Sequence, residues 1–344
     1  MGRLFLTQFF LGGMAIAWSV AVGWSEETAP GRFQFTQTEM AVPIRIVLYA
    51  PDNATASTAA GAAYARFHEL NSILSDYDPQ SELRRLCSSS SEGKPIVVGD
   101  DLWRVLQRAR ELSERSEGAF DVTVGPLVRL WRSARHTKEL PSADSMATAK
   151  GLVGWKLMQF HPEDHGVELR KPNMRLDLGG IAKGYAVDEA MTALGKHGIT
   201  RMMVEAGGNI GLGDAPPGKL GWRIGIARPD AQSPAREYLE LHGVSISVSG
   251  DMWQYAIIGD KRYSHLVDPR TGMALTDHSS VTVVGPDGLS TDGLSSAAAI
   301  LGPEKGLQLI ENTPNTAGFM IRMVDGKEET FESKNWKRLS ESKE

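Results

Sequence analysis

Four segments of this 344-residue chain hold side chains that folding alone does not demand. In Leu176-Asp177-Leu178-Gly179-Gly180-Ile181-Ala182-Lys183-Gly184-Tyr185 an expected strand runs into a Gly-Gly turn that opens a helix. Free backbone N–H groups at such a start can face a phosphate, and Lys183 adds a point charge for the same oxygens. The bland alternative is a tight turn with a surface lysine. In Ser290-Thr291-Asp292-Gly293-Leu294-Ser295-Ser296 the aspartate and the last serine lie four apart and share a helix face. A carboxylate and a hydroxyl there, with a carbonyl from elsewhere, suit magnesium, a hard cation that takes oxygen ligands. Alternatively Asp292 caps the helix. In Tyr263-Ser264-His265-Leu266-Val267-Asp268-Pro269-Arg270-Thr271-Gly272 a strand ends in an Asp-Pro turn closed by glycine. His265, in the strand just ahead of the turn, can accept a proton near neutral pH or serve as a structural group. Arg270 is available for an anion.

The fourth segment, Glu205-Ala206-Gly207-Gly208-Asn209-Ile210-Gly211-Leu212-Gly213, superficially suggests a dinucleotide-binding loop. That fingerprint needs a helix to follow and an acidic residue about 20 positions later. Pro216, Pro217 and Gly218 follow instead, so no helix starts there and the sequence argues against the classical dinucleotide fold.

These segments need a scaffold, and composition says which kind. Hydrophobic residues make up 41% and charged residues 23% of the chain, as in a globular protein. With 37 basic against 42 acidic side chains it is a poor general nucleic-acid binder, so no nucleic-acid partner is expected. The one cysteine, Cys87, rules out an internal disulfide and multi-cysteine metal sites. Residues 1–23 have the layout of a secretory signal peptide: Arg3, an apolar run, and small residues Ala21 and Gly23 at a cleavage site. An uncleaved anchor is the alternative, so a membrane partner arises only in that case. Export, to the periplasm or an equivalent compartment, is the expected localisation. Residues 24–37 read as a linker, 38–332 as the catalytic unit and 333–344 as a frayed polar tail.

Within that unit, alternation predicts strands at 42–50, 174–178, 202–205, 222–227, 244–248, 262–267, 280–284 and 318–324. Apolar stripes predict helices at 59–74, from an Asp100 cap to Gly118, and at 179–197, 291–301 and 304–311, with a loop at 88–93. Helices and strands mix without a repeating βαβ unit, which makes the fold class α+β.

Taken in order, the four segments resemble the ApbE family of FAD:protein FMN transferases. Leu178-Gly179-Gly180-Ile181-Ala182-Lys183-Gly184-Tyr185-Ala186-Val187-Asp188 carries most of the likeness, followed by His265-Leu266-Val267-Asp268-Pro269-Arg270-Thr271-Gly272. Residues 71–78 with Ser81-Glu82-Leu83, and Ala119-Phe120-Asp121-Val122-Thr123-Val124-Gly125-Pro126-Leu127, add to it. The resemblance spans about residues 38–324. It implies a T-fold-like core with the flavin held between subdomains, and FAD as substrate. It also implies Mg2+ as cofactor and, as partner, a threonine-bearing acceptor protein of an electron-transfer system, which receives FMN through a phosphoester. By motif, Met40, Tyr77, Ala119, Phe120, Asp121, Asp177, Lys183 and Leu266 are the implied FAD contacts. Gly180 (through its carbonyl), Asp292 and Ser296 are the implied metal shell, and His265 is our choice of base for the acceptor threonine. Three departures stand out. Met40-Ala41-Val42 replaces Met-Gly-Thr, Glu205 and Asn209 replace Asn and Asp around the Ala-Gly-Gly, and Ser296 replaces threonine while keeping the hydroxyl. An FAD pyrophosphatase releasing FMN and AMP, and a flavin binder without turnover, are the alternative functions.

Overall fold

A computed structural model describes residues 29–89, 94–228, 234–252 and 254–341. The signal segment, 1–23, and residues 90–93 of the expected loop lie outside the described residues. Strands β1 (Gly31–Glu39) and β2 (Val42–Ala50) form the opening hairpin. Helices α1 (Asn53–Leu74) and α2 (Glu82–Ser89), the short β3 (Ile96–Val97) and α3 (Asp100–Arg115) follow. Next come α4 (Gly125–Thr137), α5 (Ala143–Lys150), β4 (Met158–His161), β5 (Gly166–Leu169) and α6 (Ala182–Lys196). A run of strands begins with β6 (Met202–Ala206), β7 (Asn209–Leu212), β8 (Trp222–Ile226) and β9 (Glu237–Leu241). It continues with β10 (Val244–Gly250), β11 (Tyr255–Ile258), β12 (Lys261–Ser264) and β13 (His278–Gly285). The chain closes with α7 (Gly288–Glu311), β14 (Ala317–Val324), β15 (Lys327–Glu332) and α8 (Lys334–Glu341). This is the expected α+β mixture.

Eight strands make one antiparallel sheet in the order β1-β2-β6-β7-β10-β13-β14-β15. Because side chains alternate across a strand, each strand feeds two cores. Ile44, Ile46 and Leu48 face α1, α3, α6 and α7, while Val47 joins Ile246, Phe319 and Ile321 on the other side. The β8–β9 ribbon and α8 cover that second face with Trp222, Leu239 and Trp336. A third cluster, with Leu127, Trp131, Ala256, Ile258 and Tyr263, binds α4, α5 and the β11–β12 hairpin into a separate lobe.

Several boundaries differ from the sequence reading. Seven residues assigned to the linker, 31–37, belong to β1: Phe33 and Phe35 pack on the core while Arg32, Gln34 and Thr36 alternate with them. The tail is helical as far as Glu341; Trp336 is 1% exposed and stacks on Phe319 at 5.2 Å, so α8 is anchored by an aromatic pair. Asp100 is not a cap. Gly99 takes that place, and the Glu82 carboxylate accepts its N–H at 2.6 Å. Serines 88 and 89 end α2 rather than starting a loop. Helix α1 starts six residues early because Asp52 accepts from Thr55 N. Residues 174–178 bury Met174, Leu176 and Leu178 but join no ladder, since Leu176 N–H goes to Cys87 Sγ and Asp177 N–H to Val122 O. The strand predicted at 262–267 stops at Ser264, which leaves His265 just outside it.

The β1–β2 turn places Met40 and Ala41 at φ 50° and 60°, with Glu39 paired to Val42. Two left-handed central residues define a turn for which Gly or Asn is favoured, and an L-residue there costs about 1–2 kcal/mol. The glycine usual in the family at position 41 thus has a steric reason. Ala41→Gly should raise stability by about 0.5 kcal/mol once the extra unfolded-state entropy of glycine is subtracted. Urea unfolding midpoints of the two proteins check this; an unchanged or lower midpoint for the glycine variant counts against it.

Candidate functional site

The four segments meet at one end of the large sheet. Gly207 and Gly208, both at positive φ, form a two-residue turn joining β6 to β7, so a strand and no helix follows the glycine cluster, as the prolines required. A Cβ on Gly207 would lie 3.1 Å from Val42 and 3.5 Å from the Lys183 stem. The β1–β2 turn carrying Met40, the β6–β7 turn and the start of α6 are therefore neighbours.

Helix α6 does not present a free anion hole. Ile181 N and Ala182 N bond to Leu178 O, and the carboxylate of Asp292 accepts from Gly184 N at 2.9 Å. The backbone of Lys183 and the side chain of Asn209 donate to the same carboxylate. The anion at this helix start is thus supplied by α7, and the expected open phosphate cradle is corrected accordingly. Lys183 instead donates from Nζ to Gly179 O at 2.7 Å, and its proximity to Asp292 works against the rise of that carboxyl's pKa.

Asp292 is no cap of its own helix: Asp287 takes that place, accepting from Ser290 N. Asp292 sits in the second turn, 5% exposed, with its pKa raised because burial strips solvent from the charged form. One turn on, Ser296 Oγ lies 3.1 Å from Ser249 Oγ, and a Cβ on Gly180 would come within 2.9 Å of it. Gly180, Asp292 and Ser296 are therefore brought together. Their donors are all oxygen, which is the set a hard divalent cation prefers. Among the described residues no three His, Cys, Asp or Glu side chains converge on a metal position, so such an ion must complete its shell from hydroxyl, carbonyl, water or substrate oxygens. A buried carboxylate with lone pairs to spare fits that role.

The crossing of α6 and α7 is tight. A Cβ on Gly184 would fall 2.0 Å from Gly288 O, so only glycine lets the backbones approach. Asp188 locks the crossing, accepting from Gly288 N at 2.7 Å and Leu289 N at 2.8 Å, and desolvation pushes its pKa up to about 7.

Beyond the Gly179–Gly180 turn, Tyr77 stands 74% exposed on the loop between α1 and α2. Ser75 Oγ accepts from Tyr77 N and Asp78 N, and Ser81 Oγ donates to Ser75 O, which fixes the loop. The Arg132 guanidinium lies 4.4 Å from the Tyr77 ring centre and bridges Asp76 at 2.5 Å to Asp177 at 2.8 Å. Asp177 Oδ1 accepts from Gly179 N, so this carboxylate closes the glycine turn. Ala119 and Phe120 are buried, and Phe120 underlies Gly180 at 3.4 Å from its Cβ position. Asp121 is occupied structurally, accepting from Thr123 N, Thr123 Oγ1 and Trp155 N.

His265 accompanies Leu266, partly buried against the main core, where the α4 lobe meets the sheet. Its Nδ1 lies 3.1 Å from Gln254 O. With Nδ1–H donating there, Nε2 keeps the lone pair. Desolvation, then the Arg135 and Lys183 charges, hold its pKa down to about 4, below the near-neutral value expected from sequence. Arg270 is not available for an anion: it forms a two-pronged pair with Asp268, both contacts 2.9 Å, inside the turn.

Sequence reasoning missed Arg132, Arg135, Asn209 as a partner of Asp292, and Asp251. The last is 2% exposed, pairs with Arg262, and keeps Oδ1 without a hydrogen bond 3.9 Å from His278. Arg132 and Arg135 lie three apart on α4, but no sequence spacing links Arg132 to Asp76 and Asp177 or Asn209 to Asp292. The Glu205 departure is matched in space by Arg45, directly opposite on β2, whose Nε donates to it at 2.9 Å.

With this geometry in view, the comparisons with known proteins carry weight. The family model described as "ApbE family" matches residues 40–320. The chain belongs to the ApbE family. It is 32% identical to the FAD:protein FMN transferase of Haemophilus influenzae over 80% of this chain and 82% of that protein. It is 33% identical to the Vibrio cholerae enzyme of the same name, over 75% and 78%. Among solved structures, the flavin transferase ApbE of Vibrio cholerae superposes with a TM-score of 0.81 at 29% identity, covering 90% of this chain and 99% of that one. The apo flavinyl transferase ApbE of Pseudomonas stutzeri gives 0.80 at 29% identity, covering 90% and 97%.

Proposed function

We propose that this protein is an exported, Mg2+-dependent FMN transferase that cleaves FAD and joins FMN to a threonine of an acceptor protein of an electron-transfer system. The observation that carries this reading is the convergence, in an ApbE-family chain, of the Gly180–Asp292–Ser296 oxygens, the Lys183 charge and a neutral His265. The acceptor Oγ attacks the FMN phosphorus, the bond from that phosphorus to the bridging oxygen breaks, and AMP departs with that oxygen. His265 Nε2 takes the hydroxyl proton. Gly180, Asp292 and Ser296 would hold the cation, whose chemistry is to neutralise charge on the pyrophosphate. Lys183 supports the same charge, and Tyr77 offers its ring to the isoalloxazine. Ala119, Phe120, Asp121 and Asp177 form the floor and rim, while Met40 and Leu266 flank them.

Incubation with FAD, Mg2+ and a candidate acceptor separates the readings. Covalent flavin fluorescence on the acceptor band supports transfer, free FMN and AMP alone indicate a pyrophosphatase, and intact FAD indicates a binder.

The exposed Tyr77 face supports a stacking role. Stacking adds roughly 0.5–1.5 kcal/mol beyond area burial, so Tyr77→Ala should weaken FAD about tenfold or more. Tyr77→Phe keeps the ring over Arg132 and should bind like the wild type. Flavin fluorescence titration checks both; equal affinity of the Ala and Phe variants refutes stacking.

A further inference from the structure

An arginine track, only one member of which is paired with carboxylates, leads away from the site. On α4, Arg129, Arg132 and Arg135 follow each other at three-residue steps, which makes them neighbours on the helix surface. Arg132 is satisfied by Asp76 and Asp177. Arg135, half-buried and close enough to depress the His265 pKa, has no carboxylate within ion-pair distance among the described residues. At the outer end, Arg129 and Arg175 line a groove of about 530 Å³ between α4, α5 and the 173–175 segment. Asp144 is the only carboxylate on its wall and forms no ion pair with either. Arg84 adds a third charge: it and Arg129, after desolvation, hold Arg175 below the ordinary arginine value. Helix α4 is pressed onto this segment, since a Cβ on Gly125 would sit 2.6 Å from Arg175 O. Arg175 lies two extended residues, roughly 7 Å, from Asp177 at the rim of the site.

Three clustered arginines that form no ion pair among the described residues stand out in a chain whose net charge is −5. Like charges held together cost free energy that an acidic partner would recover. The groove is also lined by Pro126, Leu130 and Leu152. A concave lining that mixes apolar side chains with guanidinium groups suits peptide side chains better than a nucleic-acid backbone or a flat headgroup layer.

We propose that the Arg129–Arg175 groove, with the Arg84 charge beside it, docks an acidic stretch of the acceptor polypeptide beside its target threonine, with Arg135 guiding the chain to His265. This deepens the transferase reading and rests on it. Guanidinium groups pair with carboxylates in a forked geometry, so the contact selects Asp or Glu and weakens with salt.

The test uses two fluorescein-labelled threonine peptides, one flanked by aspartates and the other by asparagines at the same positions. Fluorescence anisotropy should show the acidic peptide binding about tenfold more tightly at low salt, with the gap closing at high salt. The Arg129→Gln/Arg175→Gln double variant should erase the gap while binding FAD as wild type does. Equal binding of both peptides to wild type, or an unchanged preference in the double variant, overturns the proposal. So does binding to phosphatidylglycerol vesicles with no preference between the peptides. If the preference holds and disappears in the double variant, but no flavin ever becomes covalently attached, the docking surface stands and the transfer reading falls.

Discussion

Asp292→Asn should lose about a hundredfold or more of FAD cleavage in Mg2+ while remaining folded, because a metal clamp on a phosphoryl group contributes several kcal/mol. The expectation of a folded variant comes from the hydrogen-bond arrangement. Asn Oδ1 can still accept from Gly184 N, the contact that ties α7 to the start of α6. The substitution also removes a buried charge whose desolvation is only partly offset by Lys183 and the surrounding N–H groups. Loss of one hydrogen bond and relief of one desolvation cost oppose each other, so the thermal midpoint should move by only a few degrees. Mg2+ supplies a second readout. A cation that binds only the native state raises its stability by mass action, so wild type should gain thermal stability with added Mg2+ and the variant should not. AMP release and the melting shift are measured in parallel. Wild-type cleavage by the variant, or by wild type in excess chelator, removes the metal role from Asp292.

The parts of the site that sequence exposed share one property: their chemistry is local. Gly179-Gly180 before a lysine, Asp292 four residues ahead of Ser296, and His265 beside an Asp-Pro turn are visible because each group sits within one turn or one helix. The parts that sequence hid are cross-strand or cross-helix. Nothing near Asp292 announces that its carboxylate would terminate α6, a partnership spanning 108 residues. Arg132 reaches Asp76 and Asp177 across 56 and 45 residues, and Asn209 finds Asp292 only because β7 lies under α7. The fold shows the same division. Periodicity located β2, β6, β8 and β13 to within two residues at each end. It also marked two helical pieces in α7, where Gly302 at φ 77° and Pro303 break the helix. Failures came where burial was not supplied by the local pattern, as in the tail held by Trp336, or where an extended run found partners outside any ladder, as at residues 174–178. In β1 the alternation of Phe33 and Phe35 is present, yet residues 31–37 read as linker.

His265→Ala should transfer FMN about 10² to 10⁴ times more slowly and bind FAD as wild type does, which is the usual cost of deleting a general base. A threonine hydroxyl is a weak nucleophile near neutral pH, so its proton must leave as the oxygen attacks phosphorus. Only the neutral imidazole can take it, and rate therefore falls as pH drops through the histidine pKa. The cleft holds that pKa down to about 4, chiefly by desolvation, with Arg135 and Lys183 adding to the effect and the Gln254 carbonyl opposing it. An ordinary histidine would place the acidic limb of kcat/KM near 6.5. Here transfer should stay flat from about pH 8 down to about 5.5 and decline only below about 5, because at that point the protonated fraction of a group with pKa about 4 first becomes appreciable. In the alanine variant this limb should be absent, leaving a slow reaction governed by other groups. A purely structural histidine, one that served only to donate from Nδ1 to Gln254, would behave differently. Its asparagine replacement could keep that hydrogen bond and restore the rate, whereas a missing base is not replaced by an amide. Rates of covalent flavin incorporation for wild type, His265→Ala and His265→Asn between pH 4 and pH 8, about the range of imidazole titration in proteins, decide the matter. Near wild-type transfer by either variant at pH 7 sends the threonine proton to another acceptor, with Asp251, buried and holding an unpartnered Oδ1, the first to be tested.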